Sequence, residues 1–381
     1  MFNLVIKNGH VIDPSTQTDC IKTISVKNGY IEEFNEKESV VETVDATGCL
    51  VVPGLIDAHS HCFFSGSGLC VQPDLFASTG VTATIDAGSA GWSNFTAFHN
   101  TVIANSIVRV KGLVAYNNAG QVELGSYINY DPKTIKQHKI KALFEKYPND
   151  LLGLKMLFQK GIAGDDETSL ARIDEMISLA EDIGCPVTIH TTNPPAPTPQ
   201  ILKRLRKGDT YCHCYQGKGY TILNSDNNVC KEAWEARERG VIFDAANGVN
   251  NFSSYVARHA IADGFLPDTI SSDNSAHSFN LGVHVKNLPF IMSKYLALGM
   301  NLYDVIRCTT ENAAKTFNQE GIIGTLQAGA YADIAILKLV NKKQVFADSE
   351  NSEESTVIGQ QILVPQMTVI NGMVAYRSNE L

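Results

Sequence analysis

The middle of the chain alternates between short apolar runs and stretches with helical spacing of apolar residues. Apolar runs of about 4–8 residues bounded by turn residues are typical of buried strands, and helical stretches between them predict a parallel sheet of βα units. The eight candidate strands are residues 54–61, 83–86, 108–116, 151–158, 186–190, 210–214, 241–245 and 269–273. Residues 168–183, with Leu170, Ile173, Ile177 and Ala180 on one face and Gly184 after them, predict an amphipathic helix.

Eight strands between residues 53 and 325 fit an α/β fold of the (β/α)8 TIM-barrel type better than an open sheet, which would leave exposed edges. Both chain ends are instead rich in β-formers with Asn-Gly turns, namely Asn8-Gly9, Asn28-Gly29 and Asn371-Gly372, which favour hairpins. We therefore expect one small, discontinuous β-sandwich domain from residues 1–52 and 326–381, and a barrel domain from residues 53–325.

Charge and composition narrow the class of partner. The 31 basic and 40 acidic residues give a net charge of −9, and no basic cluster is interleaved with aromatic residues, so we expect no binding to nucleic acid. No apolar run approaches the roughly 18–20 residues of a membrane span, so we expect a cytoplasmic protein that does not bind a membrane. Nine cysteines without a tight framework predict reduced thiols. A small-molecule substrate is the expected partner, and the oligomeric state stays open, a homo-oligomer included.

Possible metal ligands fall at the ends of four candidate strands. His59 and His61 are two residues apart, so in a strand they project to the same face. His190, His213 and Asp273 end later strands. A single histidine or aspartate at a strand end is more often an ordinary hydrogen-bonded residue. Because active sites of such barrels lie at the C-terminal ends of the strands, the joint placement of these residues predicts a metal site.

Lys155 lies among apolar residues in the fourth candidate strand. A lysine in a barrel interior is costly to keep charged, and a neutral amine can react with carbon dioxide to form a carbamate, whose two oxygens can bridge two cations. Cys62, Cys212 and Cys214 are neighbours of the candidate ligands. Strand alternation predicts that these thiols point outward and are inert.

The chain resembles the amidohydrolase superfamily, in its dihydroorotase-like branch, over nearly its whole length. Residues 53–61, the residues at the strand ends and residues 329–334 carry this resemblance. Residues 153–155, 190–195, 208–218 and 267–273 make the chain similar to a deacetylase subfamily that includes acetyl-mandelate ester hydrolases. The chain departs from that subfamily at Leu157, because its members carry a basic residue two positions after the bridging lysine.

The resemblance implies a binuclear metal centre bridged by a CO2-derived carbamate on Lys155. It implies that one ion is held by His59, His61, Lys155 and Asp273, and a more exposed ion by Lys155, His190 and His213. We expect two divalent ions, with Zn2+ first and manganese, iron or cobalt as alternatives. Asp273 would take the proton of the attacking water and pass it to the leaving group.

These features predict a metal-dependent amidohydrolase, and within that class a deacetylase of a small acetylated compound. The main alternative is a cyclic amidase of the dihydroorotase or hydantoinase type, and an adenine-type deaminase or a non-catalytic scaffold are further ones. Candidate substrate contacts are Lys160, Asn251, His277 and Asn280. The loop at residues 117–130 contains no arginine or lysine, and Leu157 is apolar. We therefore expect neutral hydrogen bonds to hold most of the substrate, with Lys160 the nearest cation in sequence.

Overall fold

A parallel sheet forms the centre of the protein. The computed structural model describes residues 1–122, 128, 130–131, 133–280, 284–350, 352 and 355–381, and for Asn280 it describes the backbone only. The central strands are β8 (Leu55–Ser60), β9 (Val81–Asp86), β10 (Arg109–Ala115), β11 (Leu151–Leu157), β12 (Val187–His190), β13 (Thr210–Cys212) and β14 (Ile242–Asp244). They follow one another in the sheet in the order of the sequence. This order is expected when each connection returns the chain to the start of the next strand.

Residues 269–273, the eighth predicted strand, close this sheet into a barrel without forming a regular strand. On one side the Ala245 N–H donates to the Thr269 carbonyl at 2.9 Å, and on the other the Asp273 N–H donates to the His59 carbonyl at 2.8 Å. Asp273 has a left-handed φ of 51°, which ends regular pairing. The barrel prediction is confirmed, and the prediction of a regular eighth strand is wrong.

Helices cover the outside of the barrel. They are α1 (Phe95–Phe98), α2 (Gln137–Lys146), α3 (Leu170–Ile183), α4 (Thr198–Leu202), α5 (Lys231–Glu238), α6 (Ser254–Ala262), α7 (Ala276–Asn280), α8 (Leu288–Ala297), α9 (Leu302–Thr309) and α10 (Glu311–Thr316). The predicted helix at 168–183 is α3, preceded by a 3-10 turn at Glu167–Ser169 and ended by Gly184 with φ 80°. None of the helices described is both long and apolar enough to cross a membrane.

The two chain ends contribute two further sheets. Their strands are β1 (Phe2–Lys7), β2 (His10–Asp13), β3 (Thr18–Ile21), β4 (Ile24–Lys27), β5 (Tyr30–Glu32), β6 (Val40–Asp45), β7 (Leu50–Pro53), β15 (Ile334–Phe346), β16 (Val357–Ile370) and β17 (Met373–Arg377). The sheet orders are β5-β4-β1-β6 and β17-β16-β15-β7-β2-β3. Leu4 and Val26 from the start of the chain share one apolar core with Ile334 and Val369 from its end. This shared core supports the sandwich, while the domain boundaries at residues 52 and 326 stay a prediction.

Two of the three predicted Asn-Gly hairpins are present. Lys27 pairs with Tyr30 around Asn28-Gly29, and Ile370 pairs with Met373 around Asn371-Gly372. The hairpin predicted at Asn8-Gly9 is wrong, because β1 and β2 belong to different sheets. A Cβ on Gly9 would lie 2.4 Å from a Val51 methyl group, so the chain passes closely over the core there as it changes sheet.

Candidate metal centre

His59, His61 and Asp273 meet at the C-terminal end of the barrel. His59 lies on β8, and His61 follows the end of that strand. Oδ1 of Asp273 lies 3.4 Å from Nε2 of His59 and 3.2 Å from Nε2 of His61. All three side chains are buried or nearly so. The structure therefore brings the imidazole nitrogens of His59 and His61 close to a carboxylate oxygen of Asp273, a residue more than 200 positions later in the sequence.

Lys155 points into the same region from β11. Its side chain is 1% exposed, and its Nζ atom lies 3.5 Å from Nε2 of His59. Sγ of Cys212 also lies 3.8 Å from this nitrogen. Among the described residues no carboxylate forms an ion pair with Lys155. A buried ammonium without an anion is unfavourable, which makes this position suitable for a modified lysine or for a bound group.

His190 and His213 complete the group. Their ring centroids are 4.3 Å apart. Nδ1 of His213 donates to the Ala246 carbonyl at 2.9 Å, so Nε2 of His213 is the nitrogen with the free lone pair. Nε2 of His190 is buried and has no hydrogen-bond partner among the described residues. An orphaned buried nitrogen needs an explanation, and a metal ion supplies one.

The electrostatics favour neutral imidazoles next to an ionised carboxylate. Burial lowers the pKa of His190 well below its ordinary value, and it lowers the pKa of His213 to about 3. Burial alone would raise the pKa of Asp273, but the hydrogen bond with His61 and the electrostatic interactions with His59 and His213 outweigh it and hold that pKa far below its ordinary value. Metal ligands must be deprotonated in this way. The donor set therefore fits divalent metal ions.

Side chains behind the ligands hold two of the imidazoles. Oδ2 of Asp244 lies 3.3 Å from Nδ1 of His59, and Oγ of Ser89 lies 2.9 Å from Nδ1 of His61. Partners of this kind fix the orientation of metal-binding imidazoles. The sequence analysis missed both residues. Asp244 could have been found as an acidic residue near the end of the seventh candidate strand, whereas no local sequence signal distinguishes Ser89.

The Cys212 thiol faces the barrel interior, contrary to the orientation predicted from strand alternation. Its Sγ lies 3.1 Å from Nδ1 of His59. The alternation of inward and outward side chains stops here, because β13 ends at Cys212 and His213 has a left-handed φ of 61°. Burial raises the pKa of the Cys212 thiol well above its usual range, so the thiol is protonated near neutral pH. Cys62 and Cys214 are buried in the apolar layer around the barrel.

A cleft of about 410 Å³ opens above the ligands. Two of the four predicted substrate contacts, Asn251 and His277, line it. Lys160 is not among its lining residues, and the Lys160 ammonium lies 5.8 Å from the centroid of the Tyr220 ring. The side chain of Asn280 lies outside the described residues, as do residues 123–127 and 129 of the loop at 117–130. The structure adds Lys218 to the cleft wall, which the sequence analysis did not name.

A second cavity of about 710 Å³ lies toward the N-terminal ends of the strands. Its lining includes His59 and Asp244 at one end and Lys111 and Lys315 elsewhere on its wall. The two cavities share His59. Of the six predicted ligands, His59 alone belongs to the second cavity, so the smaller cleft is the candidate site.

The chain is similar to two known proteins that are named deacetylases. The chain is 30% identical over 338 residues to a deacetylase of Agrobacterium fabrum, which covers 86% of this chain and 79% of that protein. It is 27% identical over 388 residues to a deacetylase of Enterococcus faecalis, which covers 98% of this chain and 99% of that protein.

Two solved structures and a family model also match most of the chain. A crystal structure of an adenine deaminase has a TM-score of 0.88 and 27% identity, covering 99% of this chain and 100% of that chain. A crystal structure of a dihydroorotase has a TM-score of 0.87 and 26% identity, covering 98% of this chain and 99% of that chain. The model of the amidohydrolase family matches residues 50–374. The chain therefore belongs to the amidohydrolase family.

Proposed function

We propose that the protein is a metal-dependent deacetylase that hydrolyses the acyl C–N or C–O bond of a small acetylated compound. The observation that carries the proposal is the convergence of three histidines, one aspartate and one buried lysine in a single cleft, with His213 packed against His190. The choice of deacetylation rests on the relatives from Agrobacterium fabrum and Enterococcus faecalis, which are named deacetylases.

Two groups of side chains would hold two divalent ions, for which zinc is our first choice. One group is His59, His61 and Asp273, the second is His190 and His213, and a carbamate on Lys155 would belong to both. The orphaned Nε2 of His190 supports this assignment. When bound, such ions polarise an acyl carbonyl and lower the pKa of a water molecule toward neutrality.

Lys155 would carry the carbamate. The ammonium first loses one proton; the neutral amine then adds to the carbon of CO2, a C–N bond forms as one C–O π bond opens, and a second proton leaves to solvent, so a cation becomes an anion without any oxidation. This change suits the surroundings of Nζ, where His59 and Cys212 are the near neighbours and no carboxylate of the described residues pairs with it. The modification would remove a buried unpaired positive charge.

Asp273 would serve as the proton carrier. Its lowered pKa keeps it ionised, so one oxygen can accept the proton lost by the attacking water and return it to the leaving group. Asn251 donates to Oδ2 of Asp273 at 2.7 Å, and Thr192 donates to the Asn251 amide oxygen at 2.8 Å. This chain of hydrogen bonds would hold the carboxylate in one orientation.

Substrate screening of the purified protein tests the function directly. The panel contains N-acetyl amino acids, acetylated hydroxy acids, cyclic ureides and adenine, and bound metal is measured on the same preparation. We expect acetate release from at least one acetylated compound. A protein that binds metal but hydrolyses none of the acetylated compounds would contradict the deacetylase proposal, and one without metal would favour the scaffold.

Replacement of Lys155 tests the bridging role. Lys155→Ala should lose activity and most of the metal at His190 and His213, and short carboxylic acids should restore part of both. Lys111→Ala is the control, because its ammonium is also partly buried in the barrel but bonds the Phe317 carbonyl at 3.2 Å, away from the cleft. Incorporation of isotopically labelled bicarbonate, followed by NMR, reads out the carbamate itself. Equal metal content in both variants would contradict the role of Lys155.

A cyclic amidase is the second candidate. It is favoured by the dihydroorotase structure with a TM-score of 0.87 and by a dihydroorotase of Clostridioides difficile that is 25% identical over 316 residues. The same panel separates the two functions, because a cyclic amidase would open a ureide ring at least about a hundredfold more efficiently than it releases acetate, a gap that a differently shaped pocket can produce.

A further inference from the structure

The loop between β14 and α6 lies directly beside the candidate proton carrier. We call residues 247–252 the cleft loop, because residues 248–251 line the cleft. Asn251 donates to Oδ2 of Asp273 at 2.7 Å, and a Cβ on Gly248 would lie 2.3 Å from the same oxygen. The position of the cleft loop therefore determines where the Asp273 carboxylate can lie.

Asn247 fixes the start of the cleft loop. Its side chain is fully buried, and Nδ2 donates to the carbonyls of Ala245 and Ser271 at 2.7 and 3.3 Å. The backbone N–H groups of Asn247 and Gly248 donate to the carbonyls of Ser271 and Ser272 at 3.2 and 3.1 Å. The start of the loop is thus bonded to the segment that ends at the proton carrier.

The remaining polar atom of the Asn247 amide, Oδ1, accepts from Lys294. Lys294 lies on α8 and is 1% exposed, and its Nζ atom is 3.1 Å from Oδ1 of Asn247. The same nitrogen lies 4.3 Å from the centroid of the Phe252 ring, and it donates to the carbonyls of His284 and Ala347 at 3.3 and 3.5 Å. One amino group therefore contacts both the first and the last residue of the cleft loop.

The segment after β15 closes this space from the other side. The Ser349 N–H donates to the Phe252 carbonyl at 3.0 Å, and Oδ2 of Asp348 accepts from the Ser254 N–H at 3.1 Å. Phe252 and Asp348 are each 2% exposed. Buried contacts therefore hold both ends of the cleft loop.

Stability alone does not account for a lysine at this position. Burial of an amino group that can be charged is costly, and an apolar side chain of similar length, such as methionine, would fill the same space without that cost. A methionine cannot donate to Oδ1 of Asn247, and a buried amide oxygen without a donor favours a different orientation of its side chain. The contacts of Lys294 therefore indicate a role in placing the loop.

We propose that Lys294 is a positioning residue that acts through Asn247 and the cleft loop to hold the Asp273 carboxylate where it protonates the leaving group. The inference rests on the proposed deacetylase function and adds a residue to it. In this step the C–O or C–N bond of the substrate breaks, and the proton that Asp273 took from the attacking water moves to the leaving oxygen or nitrogen, so the carboxylate is ionised again. Lys294 does not line the cleft, so its effect on this step is indirect.

The test uses acetate esters whose leaving groups need this proton to different degrees. 4-Nitrophenyl acetate, phenyl acetate and benzyl acetate release hydroxyl compounds of decreasing acidity, and the first of these leaves readily as an anion. On the metal-loaded enzyme at neutral pH, Lys294→Met should lower kcat about 10- to 100-fold for benzyl acetate, less for phenyl acetate, and at most about threefold for 4-nitrophenyl acetate, because a misplaced acid affects mainly the substrate that needs its proton. KM should stay within about threefold for all three esters.

Three further variants separate positioning from general damage. Lys294→Gln, which keeps an N–H donor, should restore part of the loss. In the Asn247→Leu background, Lys294→Met should have little further effect, because both changes remove the same contact. Ser293→Ala is the matched control, since Ser293 is buried next to Lys294 on α8, but its hydroxyl accepts from the Leu363 N–H at 2.9 Å and donates to the Pro289 carbonyl at 2.7 Å. This control should change kcat for the three esters by one common factor.

Equal losses for the three esters in Lys294→Met, or losses that multiply in the double variant, would overturn the inference. Hydrogen exchange followed by mass spectrometry observes the loop without substrate, and peptides that cover residues 247–252 should exchange faster in Lys294→Met than in the wild type or in Ser293→Ala. If the wild type releases acetate from no acetylated compound, the deacetylase proposal fails. Faster exchange in Lys294→Met would then still support the placement of the loop by Lys294, and equal exchange would overturn it.

Discussion

The side-chain amide of Asn251 donates a hydrogen bond of 2.7 Å to Oδ2 of Asp273, while Oδ1 of the same carboxylate faces His59 and His61. One oxygen of the Asp273 carboxylate therefore faces the other candidate metal ligands, and the second accepts a hydrogen bond from the loop that contains Asn251. This arrangement links the orientation of Asp273 to a loop that also lines the cleft.

Removal of the Asn251 amide should lower turnover while the fold is kept. We expect Asn251→Ala to reduce kcat about 10- to 100-fold, as for other side chains that hold a metal-binding carboxylate. Thr192→Val, which removes only the support of the Asn251 oxygen, should have a smaller effect. Steady-state kinetics and metal content of both variants check this, and an Asn251→Ala enzyme with more than half of the wild-type kcat would contradict it.

Gly248 should tolerate no side chain at all. A Cβ there would lie 2.3 Å from Oδ2 of Asp273 and 2.8 Å from Nδ2 of Asn251, at a φ of 55°. Gly248→Ala should therefore displace the carboxylate and cost at least about tenfold in kcat, in line with the sensitivity of catalysis to misplaced groups.

Gly184→Ala is the matched control for Gly248→Ala. Gly184 also has a positive φ, 80°, but a Cβ there meets nothing within 4 Å. Each variant should lose about 1–2 kcal/mol of unfolding free energy from backbone strain, but only Gly248→Ala should lose activity. Urea denaturation combined with kinetics separates the two effects. Equal activity in both variants would show that Asp273 does not need the space at Gly248.

The Cys212 thiol should not be a metal ligand, although it faces the barrel interior. It contacts Nδ1 of His59, whereas Asp273 lies on the side of Nε2 of the same ring, so the thiol lies away from the group that His59, His61 and Asp273 form. We therefore expect Cys212→Ala to keep the metal content of the wild type. Loss of one metal equivalent on dialysis, with Cys214→Ala unchanged beside it, would identify Cys212 as a ligand instead.

The sequence was sufficient to predict the barrel and the proximity of the six candidate ligands, because strand period and strand ends are local patterns that repeat along the chain. Prediction from the sequence failed where the backbone leaves the regular strand geometry. The left-handed φ values of His213 and Asp273 reverse the orientation expected for Cys212 and remove the eighth strand. Lys218 was missed because its position depends on Gln216, whose side-chain oxygen accepts from the N–H groups of both Lys218 and Asn193, and no local spacing reveals these contacts.

A buried lysine on α8 holds the loop that follows β14. Lys294 is 1% exposed and donates to Oδ1 of Asn247 at 3.1 Å and to the carbonyls of His284 and Ala347 at 3.3 and 3.5 Å. Burial lowers the pKa of Lys294 to about 7, against an ordinary value of 10.5, although the charge of Asp348 opposes the shift. This difference makes the stability of the fold depend on pH.

The direction of the pH dependence of stability follows from the number of protons that Lys294 binds in the folded and in the unfolded state. Between pH 7 and 10.5 the unfolded chain holds a proton on Lys294 that the folded protein has largely released, so stability rises with pH by up to about 1.4 kcal/mol per unit. Lys294→Met lacks this contribution. Relative to the wild type, the variant should therefore lose stability steadily as pH is raised through this window, whichever protein is more stable at pH 7. Urea denaturation of both proteins from about pH 6 to about pH 10 measures the difference. A constant difference across the window would mean that Lys294 keeps an ordinary pKa in the folded protein.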